Sequence, residues 1–149
     1  VKKFKFSMQS ILNVNNTKKE VCEAELAEAQ FALRKEEEKL SGIETQIKGA
    51  MDPAKAKDKC TSGFFLQREK YLRILKGQRR NQILRIQQAQ TKTDSCMTRL
   101  KDATIEVKRM EKALEREFSA WELEFRRDEQ KINDEIGNVR AFFNSREAV

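Results

Sequence analysis

Three kinds of residue in this sequence have the types that chemistry needs: paired carboxylates, thiols and clustered cations. Glu115 with Glu117, and Glu122 with Glu124, have the composition of an acid–base pair. Such a pair works only where burial pushes the two pKa values apart. Both pairs sit in highly charged stretches with no cleft-forming sequence around them, so solvated charge is the reading here. Cys22, Cys60 and Cys96 are odd in number, widely spaced and without a CxxC pair. That pattern suggests neither a disulfide framework nor a thiolate metal site, and predicts buried, reduced thiols. Histidine is absent, which removes the commonest general base and metal ligand and the usual activator of a Ser or Cys nucleophile. No GxxxxGK[ST] or GxGxxG phosphate-binding turn occurs, and the 5 glycines are scattered. The expectation is a chain that is not an enzyme, with no cofactor, no metal and no small-molecule substrate.

The cations are clustered. Residues 51–100 hold 12 Lys and Arg against 4 Asp and Glu, whereas the whole chain is only +7. Arg68, Lys70, Arg73, Lys76, Arg79, Arg80 and Arg85 have the spacing to follow a nucleic-acid backbone, yet no recognised nucleic-acid module or stacking platform accompanies them. An acidic protein surface fits better than specific nucleic acid, and a merely solvated face remains an equal alternative.

The elements that must carry these residues are helices. Charged residues make up 37% of the 149 and aromatics 7%, with 1 proline, a mixture suited to long helices or coiled coil rather than a layered core. No run of 18 apolar residues, secretory leader or lipidation signal is evident, which predicts a soluble cytoplasmic protein.

Helix is expected from about Ser7, with Ser7 as N-cap and Phe6 stapled to Ile11. A seven-residue register follows: Leu12, Lys19, Leu26, Leu33, Leu40 and Ile47 on one seam position, Met8, Asn15, Cys22, Ala29, Glu36 and Ile43 on the other. In "GAMDPAKAKDKCTSGFF", Asp52-Pro53 and Gly63 predict that the chain turns back; a kinked helix continuing through Pro53 is the alternative. Then Phe65, Leu72, Arg79, Ile86, Thr93, Leu100, Val107, Leu114 and Trp121 recur every seven residues. Leu75, Ala89, Cys96, Ala103 and Met110 fill the second position. Beyond Met110 the partners become Phe118, Phe125, Ile132 and Val139, a four-residue stutter.

The predicted fold is therefore all-α: a long antiparallel two-helix coiled coil, a helical hairpin spanning residues 1–149 as a single unit. Helix one runs over about 7–50, the turn over 51–63 and helix two over about 64–143. At 1.5 Å per residue these rods measure roughly 66 and 120 Å. Helix one is thus expected to be exhausted opposite about residue 107. The overhang would carry an aromatic ridge, Leu114, Phe118, Trp121, Phe125 and Ile132, in need of cover. From periodicity alone, self-association and a foreign partner are equal answers.

The segments "KFKFSMQSILNVNNTKKE", "EAELAEAQFAL", "SGFFLQREKYLRIL" and "ALEREFSAWELEFRRDEQKINDEIGNVRAFF" resemble, in that order and over nearly the whole chain, the flagellar export protein family FliJ. The resemblance implies a stalk and adaptor of the bacterial flagellar type III export apparatus, cytoplasmic and held at the membrane only through that apparatus. Its implied partners are a hexameric export ATPase, the cytoplasmic domain of the export gate, and export chaperones. Carried onto matching positions, it implies an ATPase contact at Leu114, Phe118, Trp121, Phe125, Arg126, Arg127, Lys131, Ile132 and Asp134. A gate contact is implied at Phe65, Tyr71, Leu72 and Leu75, where ordinary seam packing is the simpler reading of Leu72 and Leu75. Pro53 and Cys60 depart from the family pattern. An injectisome stalk, a self-associating structural coiled coil and a nucleic-acid-binding rod remain the alternatives.

Overall fold

The computed structural model describes residues 2–52 and 62–148. Among these residues there are two long helices, α1 (Gln9–Ala50, 42 residues) and α2 (Ser62–Glu147, 86 residues). They pack antiparallel as a helical hairpin. The sequence separation of hydrogen-bonded partners across the pair grows from 18 to 46, and then to 110 and 119, as an antiparallel pair requires. Pro53, Cys60 and the turn they were expected to shape lie outside the described residues. Gly63 was expected to redirect the chain but lies inside the first turn of α2. Interior glycine costs a helix only about 1 kcal/mol relative to alanine, which so long a helix absorbs. A Cβ at Gly63 would meet open space.

Packing divides the chain into two units. In Lys19–Ala103, the core is Leu26, Ala29 and Cys96 with Leu100 packed against it. Cys96 is buried and Cys22 half-buried, both as free thiols.

Two polar side chains are buried here: Thr93, whose hydroxyl donates to the Ala89 carbonyl of its own helix at 2.9 Å, and Gln82, which reaches across to α1. Gln82, only 5% exposed, donates from Nε2 to the Glu36 carbonyl at 2.8 Å and to the Glu36 carboxylate. Gln82 occupies the seam position that the apolar periodicity left empty between Leu75 and Ala89. Near the start of α2, Arg68 Nε donates to the Ala50 carbonyl at 2.6 Å. This satisfies an otherwise orphaned acceptor at the negative end of α1. The flanking pairs Arg79–Glu44 at 3.4 Å and Arg99–Glu25 at 3.2 Å are solvent-exposed, so each contributes little.

The other unit comprises Val1–Lys18 with Thr104–Val149. Phe6, Leu12 and Val107 are its buried apolar side chains. Residues 2–8 are not helical; α1 begins two residues later than expected, and the Met8 carbonyl accepts the amide of Leu12 at 3.0 Å. Ser7 does not cap it. Its hydroxyl and amide instead donate to the Glu117 carboxylate of α2, at 2.6 and 3.3 Å. A charged acceptor outcompetes a local backbone amide for the hydroxyl. Phe6, the expected staple residue, is buried, while Ile11 is half exposed.

The hydrogen bond from the Gln82 amide, helped by the nearby Lys39 and Arg85 charges, holds the Glu36 carboxyl below its ordinary pKa against the opposing effect of desolvation. A lowered folded-state pKa adds stability above the unfolded carboxylate range and loses it as pH falls through the folded value. Glu36→Gln should therefore melt below the parent chain near pH ~7. The gap should close as pH falls below the ordinary carboxylate range, followed by circular dichroism. Leu26→Ala should cost about 2 kcal/mol or more by denaturant titration, through lost burial and a cavity beside Cys96.

Candidate functional site

The aromatic ridge is present as a ladder on α2. Phe118 and Trp121 lie 5.8 Å apart between ring centroids, and Trp121 stacks on Phe125 at 5.3 Å. The ladder exists because positions three and four apart share a helix face. It was expected to be bare, and at its upstream end it is not. Phe4 packs on Phe118 at 5.2 Å, edge to face, and on Trp121 at 5.8 Å. The Trp121 indole donates to the Lys2 carbonyl at 3.2 Å.

Residues 2–7 therefore form a strap over Phe118 and Trp121, anchored by the buried Phe6 ring and the Ser7–Glu117 bonds. The expected exhaustion of cover near residue 107 fails for two physical reasons. The contact of Arg68 with Ala50 lies nearly two turns into α2, and the non-helical residues before Gln9 extend the cover past the first turn of α1.

The strap does not close the site. Phe118 remains 45% exposed, and Leu114, Trp121 and Phe125 are half-buried. From Arg126 to Ala148 every residue is exposed. Arg126 pairs with Glu122 at 2.7 Å and Lys131 with Asp128 at 3.7 Å, both within the helix and in solvent; Arg127 and Asp134 are exposed. Ile132 stands on the ladder's face, and Ile136, Val139 and Phe143 continue it, all exposed. The sequence reading left out Ile136 and Phe143, although a spacing of four from Ile132 and from Val139 marks them. It also missed the partnership of Phe4 with the ladder, because non-helical residues carry no period.

The residues near the start of α2 separate into two groups. Leu75 is 2% exposed and belongs to the packing between the helices, so it presents no surface; Leu72 is half-buried. Phe65 and Tyr71 are exposed, as are their unexpected neighbours Leu66 and Ile74. Of the clustered cations, Arg68 and Arg79 are engaged within the chain.

Among the described residues, no group of three or more potential metal ligands occurs, and no helix is long and apolar enough to cross a membrane.

The family described as flagellar FliJ protein matches residues 4–147. The chain belongs to the FliJ family. No curated protein and no solved structure matches it significantly. Membership makes this FliJ-family chain a component of flagellar protein export, and among the alternatives left by the sequence it selects the flagellar system over an injectisome. The match begins at Phe4, so the family's segment includes most of the strap together with the ladder it covers.

Phe4→Ala should uncover Trp121, the only tryptophan. Its fluorescence should shift to the red and become more accessible to a soluble quencher, while helicity changes little. Edge-to-face and stacked pairs contribute about 0.5–1.5 kcal/mol beyond burial, so a small fall in melting temperature should accompany the change.

Proposed function

We propose that this chain is a stalk and adaptor of flagellar export that docks the far end of α2 into a hexameric export ATPase and presents the start of α2 to the cytoplasmic domain of the export gate. The observation that carries the first half is the exposed continuation of the aromatic ladder. Beyond Phe125, no described part of the chain covers the apolar face of α2. Family membership supports the export setting in which such a face meets a partner.

The contact comprises Leu114, Phe118, Trp121, Phe125 and Ile132, with Arg126, Arg127, Lys131 and Asp134 on its flanks. Half-exposed rings beside flexible ion pairs form an apolar centre with a polar rim, the composition of a protein-binding surface. For the gate, exposed Phe65 and Tyr71 are the residues that support the reading, together with half-buried Leu72. The family's export chaperones are further partners on this reading, with no residue assigned to them.

Phe125→Asp tests the ATPase contact more cleanly than Trp121→Ala, because Trp121 also holds Phe4. Binding to the purified ATPase should weaken by about tenfold or more, with helicity by circular dichroism unchanged. Unaltered affinity would refute the assignment. Tyr71→Asp should weaken binding to the isolated gate domain by about tenfold while leaving ATPase binding intact; loss of both together would point to misfolding instead.

A further inference from the structure

The last turns of α2 carry a seam of their own. Ile132, Ile136, Val139 and Phe143 follow one another at spacings of four, three and four, the a/d pattern of a coiled coil, and all four are exposed. We propose that this seam docks a second copy of the chain, antiparallel and tip against tip. Ile132 meets Phe143 of the second copy, Ile136 meets Val139 of the second copy, and the two-fold axis repeats both layers.

Orientation follows from the strap. A parallel pair would run on upstream along the same face of α2, where Phe4 already covers Phe118 and Trp121, and the two copies would collide there. In the antiparallel pair, Glu147 of the second copy reaches only as far as Asp128, roughly 10 Å along the helix short of Trp121.

Alignment follows from charge. In the proposed pairing, Glu129 faces Arg146 of the second copy, Arg126 faces Glu147 of the second copy, and Arg140 lies beside a neutral asparagine, Asn133. A shift of one heptad, placing Ile132 against Ile136, would set Arg126 against Arg140 and Glu135 against its own copy. It would also bring Glu129 onto Val139. Like charges at flanking positions select against such a pairing. The present partners of these groups do not prevent the exchange: Arg126 is exposed in its pair with Glu122, and among the described residues Arg146 rests on the exposed Phe142 ring, 5.4 Å from its centroid.

The helix is already formed over this stretch, so association does not bear the cost of ordering it. Four layers fall short of the area of an obligate dimer, which makes this a concentration-dependent equilibrium.

Sedimentation velocity of the full chain from about 5 to about 500 µM tests the proposal. The parent chain should move from monomer toward dimer. Val139→Asp should weaken association by more than about tenfold, with helicity unchanged. Glu129→Arg should weaken it by about three- to tenfold, and the double variant Glu129→Arg with Arg146→Glu should regain the loss. A parent chain that stays monomeric at the highest concentration, a Val139→Asp variant that associates like the parent, or a double variant that fails to recover would each overturn the proposal. None of these outcomes bears on whether the monomer binds an ATPase.

Discussion

A helix of 86 residues cannot bury its apolar face against one of 42, and most of what is distinctive in this molecule follows from that inequality. Over the paired stretch the requirement of close packing is met by layers such as Leu26 and Ala29 with Cys96. Beyond it the same face continues, with the same spacing and no described partner. Burial of a large apolar side chain contributes about 1.5–3 kcal/mol, so an open row of them is a standing demand for another surface. Both interactions proposed above answer that demand. They share Ile132, so an ATPase ring and a second copy compete for the tip.

The strap modifies this picture without cancelling it. Residues 2–7 leave the helical path and fold over two rings of the ladder, using one buried phenylalanine, one aromatic pair and a carboxylate that gathers both donors of Ser7. Cover is thus graded along α2. It is partial from Phe118 to Phe125 and absent from Arg126 onward among the described residues. A partner approaching from the tip meets fully exposed aliphatic side chains first and sheltered aromatic ones last.

The hairpin was legible in the sequence because heptad spacing reports a buried stripe directly. Leu12, Leu26, Ala29, Leu75, Cys96 and Val107 were placed on the seam by spacing alone, and all are buried. What escaped notice has a common cause. Gln82 breaks the apolar pattern yet is buried, because its amide finds two acceptors on Glu36. Phe4 and Phe6 act from residues with no helical period. Ser7 reads as a cap from its type, but a charged acceptor on the other helix takes its hydroxyl. Gly63 reads as a breaker from its type, but the helix absorbs it. In each case a contact distant in sequence decided what local propensity could not.

The Gln82–Glu36 contact has a mechanical corollary. Two rods lined with similar greasy rungs can slide past each other by one repeat and still look half satisfied. A single hydrophilic latch opposes this, since sliding would strand the buried Gln82 amide without its acceptors, at about 1–3 kcal/mol. Once latched, the register of the two helices within Lys19–Ala103 becomes a fixed property of that unit, as a notch admits one key.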